Sequence, residues 1–506
     1  MSGGKDAGRL ATVPISPVDE ACSPSDNVSS SLNQTVLTGV MWQASLRWLS
    51  QVLAWTATIV IARKLSAEDY GIAGTAGVLV GLLSLITDAG IGRALVLQRE
   101  RRELLVSQAH SASMLVGLVT SAMMILASIP VARFYGEPRV APVVCVLSLV
   151  LLLSGMNTVP LAMLQQRLDY RKLAAIDFLK AIVQASTVLV GAVFGLRYWS
   201  LPLGLIAGQL AAVALTRRFV AVALERPRFS DLRPLLGYSR HLVVGSVAWF
   251  AYSNADFAVV GRVAGLSALG FYQFAWNVAQ LPGEKLGNVL QSVVGPFFGS
   301  IGDDAEKLRH YFLVFSELLV SIMLPVLCGF ALVCPIAVPL IFGAKWAQSV
   351  PIVQILVLCA AVGSISQLGH HVLGATGQAA FGTKLNLVAL LVLPVSFYFA
   401  ARAGGPLAVA GVWLLVQPVM VVVLLSQMQT TIRLSILQYV RELRAPIVSS
   451  AAMTVAVLLT KNAVSGFTPL GQLLAMILTG IVVYPIAYRI GFANRVRAIA
   501  LAWKSR

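Results

Sequence analysis

The sequence predicts an all-α polytopic membrane protein with about 14 transmembrane helices, arranged as two pseudo-symmetric six-helix lobes plus two C-terminal helices. Three observations carry this expectation: composition, the sidedness of charge, and an internal repeat. Of 506 residues, 58% are hydrophobic and only 12% are charged, with a mean hydropathy of +0.81. Soluble domains run at roughly 45–50% apolar and about 25% charged. At about 20 residues per crossing, the apolar content is enough for a dozen or more spans, and a soluble globular protein is excluded. The five cysteines, Cys22, Cys145, Cys328, Cys334 and Cys359, are scattered without a CxxC pair or a neighbouring His. They read as free thiols, four of them in apolar runs, and no metal site is expected.

Taken in order, residues 1–35 are rich in Ser, Pro, Gly and Asp and lack the apolar core of a signal peptide, so they read as a disordered cytoplasmic tail. Apolar runs place spans at 36–62, 71–97, 106–129, 141–161, 174–195 and 201–221, which make up an N-terminal lobe over 36–222. A basic cytoplasmic loop follows at 223–240. Spans at 241–263, 269–294, 311–334, 350–373, 384–401 and 406–426 form the C-terminal lobe over 241–426. Helices 13 and 14, at 446–463 and 469–488, occupy 446–488, and 489–506 is a basic cytoplasmic tail.

With the N-terminus inside, 25 of the 38 Lys and Arg fall on inner segments, 9 on outer ones, and Arg47, Arg93, Lys180 and Lys285 lie within spans. This bias follows the positive-inside rule and puts both termini in the cytoplasm. The net charge of +17 is then a topology signal, with no implication of nucleic acid. The most basic inner loop carries Arg217, Arg218, Arg226, Arg228, Arg233 and Arg240 and divides six spans from eight. The outer loops are short, which argues against a membrane enzyme of polysaccharide assembly with an extramembrane catalytic region.

The segments IVIARKLSAEDYGIAG (59–74) and AVVGRVAGLSALGFYQF (258–274) resemble each other. Allowing a gap, Arg63 falls on Arg262, Leu65-Ser66-Ala67 on Leu266-Ser267-Ala268, and Tyr70 on Phe271, an offset of about 200 residues. Six spans intervene, so the halves share one orientation about an axis along the membrane normal. Two such lobes suit alternating access to a central site. Within the repeat, Leu65 to Gly71 reads as a tight turn, with Ser66 as a helix N-cap and Glu68 and Asp69 in the first turn.

Polar residues inside the spans are the candidates for function, because an unpaired polar group facing lipid is costly. In span eight, Gln273, Asn277, Gln280, Glu284, Asn288 and Gln291 recur at steps of three and four and keep one helical face polar. Gln43, Arg47 and Gln51 do the same in span one, and Ser246, Ser253 and Asp256 in span seven. Arg47, near mid-bilayer, reads either as a substrate contact or as a brace paired with Asp256 or Glu284. Arg93 is a lumen residue or an inner-mouth anchor, and Lys285 a lumen residue or a snorkelling one. His370 and His371 read as a polar helix end, with proton carriage as the alternative. The candidate substrate-binding set is therefore Gln43, Arg47, Gln51, Arg93, Asp256, Gln273, Asn277, Gln280, Glu284 and Lys285. No Walker-type loop, GxSxG or HExxH motif is present, so an enzyme is not expected, and no cofactor is expected.

The segment GVMWQASLRWLSQVLAWTATIVIARKLSAEDYGIAG (39–74) resembles the start of the polysaccharide transporter family of the multidrug/oligosaccharidyl-lipid/polysaccharide exporter superfamily. These are the Wzx-type O-antigen and exopolysaccharide flippases, and the nearest branch is the colanic acid exporter-like one. The resemblance continues in TDAGIGRALVLQ (87–98), LQQRLDYRKLAAID (164–177), DFAVVGRVAGLSALGFYQFAWNVAQLP (256–282), PLIFGAKWAQSVPIVQIL (339–356) and LGATGQAAFGTKLNLV (373–388). It implies two six-helix lobes with two extra helices in a bacterial inner membrane. It also implies a substrate, a polyprenyl-pyrophosphate-linked oligosaccharide moved to the outer leaflet, with membrane lipid around its tail and a polysaccharide polymerase and chain-length regulator as further partners. Arg or Lys would meet the pyrophosphate, and Asn and Gln the sugar. The sequence departs from a strongly cationic lumen, with Arg47, Arg93 and Lys285 as the few mid-span positive residues. A cation-coupled multidrug or metabolite exporter of the same superfamily is the alternative, with Asp256 and Glu284 carrying the ion. A coupling ion, proton or sodium, is not readable from the sequence.

Overall fold

A computed structural model describes residues 49, 51–88, 92, 95, 103–228, 245–302 and 304–491; the side chains of 88, 103, 282–293, 296 and 379 fall outside this description. The first half consists of α1 (51–64), α2 (Ala67–Asp88), α3 (Glu103–Tyr135), α4 (Val140–Gln166), α5 (Tyr170–Val193) and α6 (Ser200–Phe219), with a 3-10 turn at Arg197–Trp199. The second half begins with α7 (245–253) and α8 (Ala255–Val263), continues with α9 (Leu266–Ile301) and α10 (Ala305–Phe342), and passes through a 3-10 turn at Ala344–Ser349. It ends with α11 (Val350–Ala375), α12 (Ala379–Thr431), the short α13 (Ile436–Glu442), α14 (Arg444–Ala463) and α15 (Pro469–Gly491). The described residues contain no strand, and ten helices among them are long and apolar enough to cross a membrane. The protein is thus an all-helical multi-pass bundle, and the ten do not establish the expected count of 14.

Two departures from the expected boundaries have physical causes. The spans expected at 384–401 and 406–426 run together as the 53 residues of α12, which held straight would be about 80 Å long, far beyond a hydrocarbon core of about 30 Å. The helix instead doubles back at Gly404 (φ −153°, ψ 20°) and Gly405 (φ 62°, ψ −149°). Its two arms meet where the Phe397 and Trp413 rings lie 5.3 Å apart, and Gln427 near one end donates to Gln378 at the other at 2.8 Å. Only Gly takes the backbone angles of Gly405 without strain. The second departure is a break of the seventh expected span at Asn254, whose side-chain amide donates to the Phe250 carbonyl oxygen at 2.9 Å in competition with the helix ladder.

Helix starts follow local chemistry. At α2 the Ser66 hydroxyl accepts from the Asp69 N–H at 3.1 Å, and Asp69 Oδ2 accepts from the Ser66 N–H at 3.0 Å. This is a capping box with Asp in the role of Glu. Asp169 and Asp304 cap α5 and α10 through the N–H groups of Lys172 and Lys307. Within the first half, α3 and α4 come together at Gly117 and Gly155, where a Cβ on Gly155 would lie 2.6 Å from the Ser113 carbonyl oxygen. Small residues at helix crossings are the membrane solution to close packing.

The two halves meet at α2 and α9. A Cβ at Gly71 would fall 2.0 Å from the Leu266 carbonyl oxygen, and one at Gly270 would fall 1.7 Å from the Ala67 carbonyl oxygen. These reciprocal contacts relate Ala67 to Leu266 and Gly71 to Gly270 at one constant offset of 199 residues, with no gap. The repeat is therefore in the register of the two helix starts. The gapped match of the Leu-Ser-Ala triplets is two residues out of that register, because the triplets sit at different positions in the two turns. The terminal hairpin α14–α15 packs on α10 through Val333, Ala337, Met453, Val457, Leu473 and Met476, and Tyr484 donates to the Ser321 carbonyl oxygen at 2.7 Å.

Candidate functional site

One end of the bundle is shut by side chains that tie the halves together through backbone carbonyls. Arg63, just past the core of α1, donates through Nε to the Ile341 oxygen at 2.8 Å and through Nη2 to the Leu340 oxygen at 2.9 Å. In return Lys345 Nζ donates to the oxygens of Arg63 (3.0 Å) and Leu65 (2.7 Å), and Trp346 Nε1 donates to Ala62 at 2.8 Å. Helix C-termini leave carbonyls without partners and carry partial negative charge, so each half here supplies the cation and indole donors that the other half's helix end lacks. Beneath this lattice the Trp346 ring stacks on Phe274 at 3.9 Å and meets the edge of Tyr70 at 5.2 Å. Alongside, Arg139 bridges Glu68 and Glu137, and Arg197 lies 3.4 Å from Asp69. The hydrogen bond from Arg139 holds the Glu137 carboxyl below the usual carboxylate range, while Glu137 and Glu68 raise Arg139. All these groups come from segments read as outer loops and helix ends, so the structure brings that set to one end.

Away from this clasp, the second half lines a partly open cavity of about 760 Å³ between α7, α9, α10, α11 and α12. His370 and His371 on α11 lie 21 and 22 residues past Ser349, the last residue of the 3-10 turn that carries Lys345 and Trp346, about 30 Å along the helix, so the cavity extends towards the opposite end. Its wall is largely apolar, with aromatic rings and amides set into it. Trp249, Phe250, Tyr252, Trp276 and Trp413 supply rings, Asn254, Gln280, Gln367, Asn386 and Gln417 supply amides, and Ser253, Ser364 and Ser366 supply hydroxyls. No Asp, Glu, Lys or Arg belongs to the described lining.

Behind this wall sits Asp256, fully buried. Its Oδ2 accepts from Tyr272 Oη and Trp413 Nε1, both at 2.8 Å, and its Oδ1 accepts from the Phe257 N–H at 2.9 Å. The carboxylate thus joins α8, α9 and the second arm of α12. Trp413 is simultaneously part of the cavity wall, 6.2 Å from Trp276 and 5.3 Å from Phe397 between ring centroids.

The residues read from the sequence are distributed as follows. Gln43, Arg47 and Arg93 lie outside the described residues, as do the side chains of Glu284, Lys285, Asn288 and Gln291. Gln51 is half-buried on α1, and Asn277 is exposed on α9. Gln273 faces the other half: its Oε1 is buried without a partner among the described residues, where a Cβ on Gly74 would overlap it. Gln280 lines the cavity, and Asp256 stands one layer behind it. Sequence reasoning missed Trp249, Asn254, Trp276, Asn386, Trp413 and Gln417; the available signal was an amide or indole inside each apolar run.

Comparison with known proteins gives this geometry a setting. Lipopolysaccharide biosynthesis protein WzxC of Escherichia coli is 25% identical over 397 residues, covering 76% of this chain and 79% of that one. Succinoglycan biosynthesis transport protein ExoT of Rhizobium meliloti is 26% identical over 331 residues, covering 64% of this chain and 66% of that one. Among solved structures, the lipid II flippase MurJ in an inward closed conformation superposes with a TM-score of 0.75 at 14% identity, covering 90% of this chain and all of that one. This shows that the fold is shared. The family described as polysaccharide biosynthesis protein matches residues 60–351, more than half of the chain, and the protein belongs to that family.

Proposed function

We propose that the protein is a flippase that carries a polyprenyl-pyrophosphate-linked oligosaccharide across the bacterial inner membrane, with both termini cytoplasmic, by alternating access and without covalent chemistry. The observation that carries this reading is the asymmetry of the bundle. Carbonyl-directed donors shut one end, while a polar, aromatic cavity extends towards the other. A buried polar wall has no use in a protein that only spans the membrane, since each such group costs free energy unless water or a ligand satisfies it. The names of the relatives, lipopolysaccharide biosynthesis and succinoglycan transport, and the fold shared with a lipid II flippase, support a lipid-linked oligosaccharide as cargo.

In this reading the clasp opens on the outer side after the cytoplasmic side has closed, and the prenyl tail stays in lipid between the halves. A polymerase and a chain-length regulator would take the cargo once it has crossed. Arg47 is the group best suited by charge and depth to meet the pyrophosphate. The exporter alternative needs an acidic side chain open to the site, and among the described residues the cavity wall has none. The test is a chromosomal deletion. The expected result is loss of the exported polysaccharide with accumulation of the lipid-linked repeat unit on the cytoplasmic leaflet, restored by the gene. Normal polymer with no accumulation contradicts the proposal.

A further inference from the structure

Cavity chemistry discriminates between the parts of such a cargo. A pyranose ring presents a face of C–H groups and a rim of hydroxyls, so it is matched by an aromatic plane with amides at its edge. A pyrophosphate is matched by Lys, Arg or clustered N–H donors, and a prenyl chain by apolar side chains alone. The cavity in the second half has the first set, interspersed with apolar side chains such as Leu356, Leu385 and Met420, and its described lining has no Lys or Arg. Trp276 and Trp413 form an angled pair of rings, 6.2 Å apart with planes inclined by 52°. Gln280 and Gln417 reach the same cavity. Asn386, the acceptor of a 3.3 Å hydrogen bond from Tyr252, adds a third amide. The described wall has no Lys or Arg to hold a phosphate, and its basic side chains are the imidazoles of His370 and His371. Its amides would be left unpaired against a hydrocarbon chain. The volume of about 760 Å³ lies within the roughly 300–1,000 Å³ of small-ligand sites.

We infer that this cavity is the saccharide subsite. It takes uncharged sugar rings against the half-buried Trp276, which the buried Trp413 backs, with Gln280 and Gln417 bonding their hydroxyls, and it leaves the pyrophosphate outside it, towards the first half of the molecule. Asp256 is a positioning residue: its two 2.8 Å hydrogen bonds fix the Trp413 indole and tie that ring to Tyr272. The sugar is thus read by the second half, and the cargo spans the interface between the halves.

This inference rests on the flippase reading, and the experiment separates the two. Export flux is measured in the deletion strain carrying either the wild-type gene or Gln280→Ala/Gln417→Ala, with membrane amounts matched by immunoblot. Each strain is tested with the complete repeat unit and with a carrier truncated, by removal of the second glycosyltransferase, to its first sugar. The wild type is expected to favour the complete unit. The double variant is expected to lose about tenfold or more with the complete unit, as two hydroxyl bonds disappear, and to change little with the truncated one. A merely structural defect lowers both in parallel, and that outcome overturns the subsite, as does undiminished flux of the complete unit. For the positioning role, Asp256→Asn retains an acceptor for Trp413 and Tyr272 and should keep the preference for the complete unit. Asp256→Ala should lose that preference, and equal behaviour of the two variants overturns the role. If the bare deletion accumulates no lipid-linked intermediate, the flippase reading itself fails and the subsite fails with it.

Discussion

Replacing Gly270 by Ala attacks the closed end at a defined atom. The new methyl carbon would sit 1.7 Å from the Ala67 oxygen and 2.5 Å from its carbonyl carbon. An ordinary carbon–oxygen contact needs about 3.3 Å, so the first turns of α2 and α9 must part by roughly 1.5 Å. Both contact atoms belong to backbone, so no side chain can rotate away. Overpacking of this kind costs about 1–3 kcal/mol. The cost falls on the closed arrangement, where these turns touch, and is absent once the halves separate. A bias of that size shifts the closed-to-open ratio by about 5–150-fold. Gly71→Ala acts through the reciprocal contact with Leu266, so the same separation relieves both clashes and the double variant should fall well short of additivity. The assay is pulsed dipolar spectroscopy with spin labels on cysteines at Lys64 and Gln348, exposed on the two sides of the clasp, in a chain whose native cysteines are replaced. Gly270→Ala should add a longer-distance population that the parent lacks. An unchanged distance distribution in a folded variant would refute the reasoning.

Three further outcomes are expected. Asp256→Ala leaves the buried Trp413 and Tyr272 donors unpaired, at about 1–3 kcal/mol for each unsatisfied group, whereas Asp256→Asn keeps an acceptor. The thermal unfolding midpoint in detergent should therefore fall much further for Ala than for Asn, and equal losses would count against the anchor. The Arg139 hydrogen bond lowers the Glu137 carboxyl in the folded state. Its contribution is therefore present above the unfolded carboxylate value of about 4.3 and disappears as pH falls through the lower folded value. The stability difference between the parent and Glu137→Gln should accordingly be constant from neutral pH down to about 5 and shrink only in stronger acid, and a shrinkage between neutrality and pH 5 would contradict this. Arg47→Ala should abolish complementation while the protein still reaches the membrane, and Arg47→Lys should retain part of it; full activity of the Ala variant removes Arg47 from the cargo path.

Much of the architecture was legible in the chain because lipid imposes one rule, that backbone polar groups be satisfied within helices. The apolar runs located the helices, with spans ending at 401 and starting at 406 on the two sides of the α12 hairpin, and the Ser66–Asp69 turn announced the start of α2. The repeat was visible too, but its register was not. The Leu-Ser-Ala triplets match as letters, whereas the helix starts and the glycine contacts relate Ala67 to Leu266. The site was legible only in part. Spacing identified Gln280 on a polar face and Asp256 as a carboxylate in an apolar run. Nothing local could reveal that Tyr272 and Trp413, 16 and 157 residues away from Asp256, donate to it. The cavity wall is assembled from helices far apart in sequence, each giving one or two amides or rings that look incidental within its own run. The clasp was hidden for a related reason. Its acceptors are backbone carbonyls at helix ends, which carry no sequence signature, and only its donors, Arg63, Lys345 and Trp346, appear as letters.

The protein itself should move a lipid-linked oligosaccharide between leaflets. The most direct measurement uses the purified full-length chain in liposomes containing a fluorescent lipid-linked oligosaccharide, with a membrane-impermeant reductant added outside. A flippase makes the inner-leaflet probe accessible, so the quenched fraction should rise from about half towards completion with wild-type protein and much less with Gln280→Ala/Gln417→Ala. Quenching that stops at the outer-leaflet fraction, the same as in protein-free liposomes, would contradict the account.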